Sequence, residues 1–307
     1  MNTQENLNSK IKFDKEAKNY DEQIEILLNR GMTFKNKSKA KFILENISYY
    51  RLSGYWYQYY KSLEDKTFKI EIDFDDCFNT YCFDKELRKI LIEELEKIEV
   101  SIRAKISYNL SNKYGGFWFN NTKLVNSLVT HSNLISKINN EYQRSDELFI
   151  KSYKKKYLEE LPPSWILLEV ASFGSLSQLY KNLLPYDKRT ISNNYKLPEV
   201  VFETWLHSFV YIRNLCAHHS RLWNRELTIK PKRLENPKLP FTNNHTNNRK
   251  IFYVVLMIKY FINIINPMSS FKIRLVNLIK EYPQIDISEM GFISDWDIED
   301  IWIKNYD

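Results

Sequence analysis

The sequence predicts an all-α protein, and three observations carry that prediction. Only six Gly and nine Pro occur in 307 residues, which leaves few tight turns and favours long regular elements. Long stretches repeat apolar residues every three or four positions. A single short stretch alternates with the two-residue period of a strand. A hydrophobic content of 43% and an aromatic content of 15% are those of a chain that folds around a core.

Taken in order, an amphipathic helix is expected over Tyr20 to Asn29, with Gly31 as its stop. A second begins near Ser38 and runs into the ring-rich ISYYRLSGYWYQYY, Ile47 to Tyr60. The alternating Lys66 to Phe74 reads as a small strand pair. Phe83 to Ile106 is the clearest helix, because Leu87, Leu91, Leu95, Ile98, Ile102 and Ile106 recur at helical spacing. Glutamates of that helix are the expected partners of Arg88 and Arg103. Pro162 and Pro163 suit the first turn of a helix starting near Ser164, and Gly174 separates it from another at Ser175 to Leu184. After Pro198, Phe202, Trp205, Phe209, Ile212 and Cys216 form one apolar stripe. Pro231, Pro237, Pro240 and the polar FTNNHTNNRK mark a loop. Two helices follow, Lys250 to Asn266 and Ser269 to Tyr282. No internal repeat or linker interrupts the chain, so one domain over residues 1–307 is expected.

No apolar segment follows the polar Met1 to Lys10, which predicts a cytoplasmic protein without a leader. Ile251 to Ile265 is apolar but carries Lys259 and Asn263 and falls short of the roughly 20 residues a membrane span needs, so a buried core helix is expected and no membrane partner. Three cysteines, Cys77, Cys82 and Cys216, are odd in number and lack ligand spacing, which predicts free packing thiols in a reducing compartment. The net charge of +7 divides unevenly, since Tyr282 to Asp307 holds seven acids and one Lys. A basic body suits a polyanionic partner such as nucleic acid or a membrane surface, and charge alone does not choose between them. The acidic tail, with Trp296 and Trp302, is expected to dock on the basic body of its own or a neighbouring subunit and compete with RNA.

The chemistry concentrates in VFETWLHSFVYIRNLCAHHSRLWNREL. On a wheel of about 100° per residue, Asn214 and His218 fall opposite the apolar stripe and Arg213 at its flank. Packing gives Asn214 and His218 no reason to be there. Arg213 and His218 are about 140° apart on an ideal helix, so they meet only through the reach of Arg, a local break, or a second subunit. Arg is a permanent cation with a donor fork suited to phosphate oxygens, and His takes and gives protons near neutral pH. That is the equipment of RNA transesterification without a metal. His219 is a candidate RNA contact, and Arg221 and Arg225, an i, i+4 pair, are candidates for positioning phosphates. In the aromatic stretch, Arg51 is a cation among rings and a further RNA-binding candidate. His218 and His219 lack a third ligand, so no metal site is predicted, and no phosphate loop, nucleophile elbow or CxxC pair suggests a cofactor.

RNLCAHHSRLWNR, Arg213 to Arg225, resembles the signature of the Abi-like abortive-infection family, of the AbiD/AbiF type, within the HEPN superfamily. EQIEILLNRGM, ISYYRLSGYW, the Phe83 helix, RSDELFIKSYKKKY, PPSW with SFGSLSQLYKNL, and MGFISDWDIEDIW resemble further blocks of that family in order. Ser152 stands where the family is expected to carry His, and no role is assigned to it. The resemblance implies a HEPN-type helical bundle with N- and C-terminal helical additions: an extension over 1–80, the core over 81–281 and the acidic tail over 282–307. It implies a metal-independent endoribonuclease toxin of phage defence or a toxin–antitoxin system, with Arg213 and His218 catalytic and Asn214 supporting them. A homodimer and neutralisation by a small RNA or protein antitoxin are implied as well. The alternative is a non-catalytic RNA-binding or complex-forming HEPN module.

Overall fold

Asn19 opens the first helix, α1 (Tyr20–Asn29): its side chain accepts from the Glu22 amide at 3.0 Å, and the Glu22 carboxylate accepts from the Asn19 amide at 2.7 Å. This reciprocal cap satisfies two of the donors that a helix start leaves without partners. The computed structural model describes residue 12 and residues 15–62, 64–242 and 245–303. It divides into two compact units, residues 1–82 and 83–307. Met1 to Lys10, Asn243 and Asn244 of the predicted loop, and Lys304 to Asp307 of the acidic tail lie outside the described residues.

In the first unit α1 stops as expected, with Gly31 at φ +95°. Strand β1 (Met32–Thr33) follows, then α2 (Lys37–Asn46) and α3 (Tyr49–Ser53). The sequence pattern read these last two as one helix. They separate because Ile47 is extended and the Ser48 hydroxyl accepts from the Arg51 amide, which starts a new helix. The alternating stretch contributes β2 (Ile72–Asp73), whose partner is β1, in parallel, with Met32 opposite Ile72. The expected pairing within Lys66 to Phe74 is not what forms; Phe68 instead bridges antiparallel to Tyr60.

Leu27, Met32, Leu44, Leu52, Trp56 and Phe74 form the core of this unit. The ring-rich segment is split by depth. Tyr55 and Trp56 are buried, whereas Tyr50 is 88% exposed. Arg51 is exposed, and Arg30 is a cation set among the rings. Its Nη1 donates to Tyr49 Oη at 2.7 Å and Tyr60 Oη at 3.3 Å, and its guanidinium lies 5.8 Å from the Tyr60 ring centroid. Burial, ahead of the neighbouring Tyr60, pushes the Tyr49 phenol up to about 12.

Helix α4 (Phe74–Tyr114) begins in the first unit and continues into the second. At 41 residues it is about 60 Å long and outruns the predicted Phe83 to Ile106 at both ends. Asp73 starts it by accepting from the Asp75 amide at 2.9 Å, and Gly115 at φ +86° ends it. No Gly or Pro lies between. All six predicted stripe residues, Leu87 through Ile106, are fully buried. Arg103 pairs with Glu99 at 2.8 Å as expected and also donates to the Ala171 carbonyl at 3.0 Å.

The second unit continues with α5 (Leu128–Arg144), α6 (Leu148–Lys156), α7 (Ser164–Leu167), α8 (Phe173–Asn182), α9 (Pro185–Asn193) and α10 (Glu199–Ala217). Helix α7 is one turn long, with Pro163 as its N-cap. Gly174 does not separate two helices but sits in the first turn of α8, which starts two residues earlier because the Ser172 hydroxyl accepts from the Ser175 amide. After a long loop come α11 (Ile251–Ile265), α12 (Phe271–Glu281) and α13 (Asp300–Ile303).

Thirteen consecutive residues of α11, Ile251 to Asn263, are buried, as befits a helix that is apolar all round. No helix among the described residues is long and apolar enough to cross a membrane. The two polar residues of α11 are served by the C-terminal segment. Asn263 donates to the Ile301 carbonyl at 2.9 Å, and the Lys259 ammonium lies 5.7 Å from the Trp302 ring centroid, with its pKa lowered by burial. Phe292 and Trp296 pack on Phe252, and Trp296 on Trp302. The acidic stretch therefore docks by its rings.

Burial pushes the Cys77 thiol up strongly and the Cys216 thiol up to about 12. Both are buried, and Cys82 is partly so; none of the three forms a disulfide. A raised native pKa means the unfolded chain loses the proton first, so stability is full below about pH 9 and falls as pH rises toward 12. Denaturant melts between pH 8 and 11 should show that decline, and Cys82 should alkylate ahead of the other two in the native protein.

Candidate active site

Helix α10 buries Phe202, Trp205, Phe209, Ile212 and Cys216, the stripe read from the sequence. Its other face carries exposed His207 and Asn214, with half-buried Arg213 at the flank. The Arg213 Nη1 donates to Asn214 Oδ1 at 3.4 Å, so these two predicted site residues are in contact. The helix ends at Ala217, and exposed His218 is its C-cap at φ −89°, ψ 12°.

This end is a Schellman motif. The Ser220 amide donates to the Leu215 carbonyl at 2.8 Å and the His219 amide to Cys216 at 3.1 Å. The motif requires a left-handed residue, normally Gly, and here His219 supplies it at φ +55°. The chain stays helical from Arg213 to Ala217, with the His218 amide on the Asn214 carbonyl at 3.0 Å; the backbone leaves the helix only at His218 and reverses at His219. A side chain in this conformation costs about 1–2 kcal/mol. His219→Gly should therefore raise the stability of the native state, by about 0.5–1 kcal/mol after the entropy of Gly is subtracted. Chemical denaturation measures this, and a loss of stability would contradict the strain.

Arg221 and Arg225 do not form a helix-end pair. They lie in a turn where Arg225 Nε donates to the Arg221 carbonyl at 2.7 Å, and both are half-buried. Asn224 is also left-handed, at φ +41°. Its amide donates to Glu289 Oε2 at 2.8 Å, and Lys250 Nζ donates to Asn224 Oδ1 at 2.9 Å. A carboxylate of the acidic segment thereby borders the turn. Farther along the loop, Trp205 Nε1 donates to the Lys232 carbonyl at 2.8 Å and Asn248 Nδ2 to Pro231 at 2.8 Å, which hold the loop on the core.

The residue that sequence reasoning missed is Asp84. It is fully buried on α4. Its Oδ1 accepts from the Trp223 amide at 2.8 Å and the Leu222 amide at 3.2 Å, and its Oδ2 accepts from Arg88 Nη1 at 2.5 Å. Arg88 also donates to the Ser220 carbonyl at 3.4 Å, so the buried aspartate of its own helix is a partner where glutamates were expected. Both side chains lie close enough to Cys216 to act on its thiol, Arg88 lowering and Asp84 raising its pKa. A signal existed in the sequence. Asp84 and Arg88 share the helical register of Leu91, Leu95 and Ile98, and a charged pair on an apolar stripe needs buried partners. Among the described residues, no group of three or more His, Cys, Asp and Glu side chains gathers as a metal cage would require.

Fold and site together define an all-α protein that presents an Arg–Asn pair and an imidazole at the end of a buried-faced helix. A model of the Abi-like protein family matches residues 42–224. The match spans more than half of the chain and contains Arg213 to Asn224, and the chain belongs to that family. Membership places it among abortive-infection, phage-defence proteins. No curated protein and no solved structure gives a match.

Proposed function

We propose that this chain is a metal-independent endoribonuclease toxin, acting in the cytoplasm in abortive infection or a toxin–antitoxin system. The observation that carries the reading is the exposed His218 at the end of α10, one turn beyond the Arg213–Asn214 pair. A bundle needs none of the three for its packing, yet their chemistry matches one reaction.

In that reaction a base removes the 2′-hydroxyl proton and the 2′-oxygen attacks the adjacent phosphorus. The bond from phosphorus to the 5′-oxygen breaks, and an acid protonates the leaving oxygen. The products carry a 2′,3′-cyclic phosphate and a 5′-hydroxyl. His218 acts as base or acid, Arg213 stabilises the crowded, extra-negative phosphorus centre, and Asn214 orients the guanidinium. A homodimer with the α10 helices near its interface supplies two imidazoles, one per proton transfer. His219, Arg221 and Arg225 border the same turn and are assigned to RNA binding; Arg51 belongs to the other unit and is assigned the same role on its exposure alone. A small RNA or a protein antitoxin is the proposed neutralising partner.

The test is an incubation of purified protein with structured RNAs in excess chelator, wild type beside His218→Ala. Cleavage that survives chelation and disappears in the variant supports the enzyme. Salt-sensitive binding by both proteins without any cleavage turns the assignment to a non-catalytic RNA-binding or complex-forming module. Toxicity on expression in bacteria should likewise be lost with His218→Ala.

A further inference from the structure

We propose that Asp84 is a positioning residue for this site: through the amides of Leu222 and Trp223 it sets the path of the turn that carries His218 and His219. The proposal rests on the nuclease reading for its kinetic consequences, although its geometric part stands apart from that reading. The turn is held at both ends. On the α10 side the amides of His218, His219 and Ser220 return to Asn214, Cys216 and Leu215. On the far side the anchor comes from α4, 138 residues away in sequence, through the hydrogen bonds that the Leu222 and Trp223 amides donate to Asp84. Arg88 closes the arrangement, binding Asp84 with the same Nη1 that reaches the Ser220 carbonyl.

Stability alone does not account for this choice of residues. Desolvating a carboxylate and a guanidinium costs several kcal/mol per ion, and well-packed apolar side chains often serve a core as well or better. What the pair provides is direction. A carboxylate that accepts two backbone amides fixes both the distance and the orientation of the segment it binds, which a Leu in its place cannot do. His218 caps the helix and His219 turns the chain, so the ring directions of both follow from where the backbone is next held. That place is Leu222.

Four proteins test this: wild type, Asp84→Asn, the double variant Asp84→Asn/Arg88→Gln, and His218→Ala. The double variant removes both charges together, so a folded protein remains available if the single change leaves Arg88 too costly to bury. Single-turnover cleavage, RNA Kd, thermal melting and the imidazole proton resonances are measured on each. The expected result for the two Asp84 variants is a roughly ten- to hundredfold slower cleavage step, the size of loss that small misplacements cause, in protein that melts well above the assay temperature and loses less in RNA Kd than in rate. The His218 and His219 resonances should move while those of His131 and His207 stay. An unchanged rate overturns the proposal, as does a rate loss that equals the unfolded fraction. If wild type cuts no RNA, the nuclease reading has failed, and the resonances decide the positioning role: moved rings uphold it and unmoved rings end it.

Discussion

Arg213→Ala should slow RNA cleavage by about 10²–10³ with little change in melting temperature, the loss seen when one preorganised charge-stabilising donor is removed. Arg213 is half-buried, and its Nη1 donates to Asn214 Oδ1 at 3.4 Å, a long, exposed contact that contributes little to folding. Arg213→Lys keeps the charge but loses the planar fork, and should recover only part of the rate. Single-turnover rates in chelator, read beside thermal melts, separate these outcomes. An alanine variant that cuts as fast as wild type removes Arg213 from the mechanism. His218→Ala should lose a comparable or larger factor, because it removes a proton-transfer group.

The largest stability effect is expected at Arg88. Its side chain is 5% exposed, and Asp84 is 0% exposed. Arg88→Met leaves the carboxylate with its amide donors but no counter-charge, and breaking a buried pair from one side costs about 3–5 kcal/mol. For a unit of this size that is a fall of roughly 6–20 °C in melting temperature. The double variant Asp84→Asn/Arg88→Gln should lose less than Arg88→Met does, because no lone charge stays behind. Equal melting temperatures for Arg88→Met and wild type would show that the pair contributes nothing to folding.

Much of the architecture was legible because helical spacing is a local property. The Leu87 to Ile106 stripe, the buried character of α11 and the bounds of α1 follow from residues a few positions apart. Errors arose where a local competitor intervened. Ser48 split a helix by capping a new one, and Gly174 entered a first turn because Ser172 started α8 before it. Helices α5, α6 and α9 were not predicted; they are polar on much of their surface, and α6 and α9 are nine residues each. In the candidate site, Asn214 and His218 stand out by their position opposite an apolar stripe and Arg213 by its place at the flank, which a helical wheel reveals.

By itself, the sequence determined that the chain is helical, which face of α10 is buried and which residues that face leaves outward, because side-chain hydrophobicity repeats along the chain with the period of the backbone. Tertiary structure alone decided the rest. Ile72 pairs with Met32 across forty residues, Arg30 reaches the Tyr49 and Tyr60 phenols, and Asp84 holds a turn 138 residues away. Such bonds join backbone amides or single charged groups that every sequence contains in abundance. Which of them meet is fixed only when the apolar faces have packed and the remaining buried polar groups must find one another.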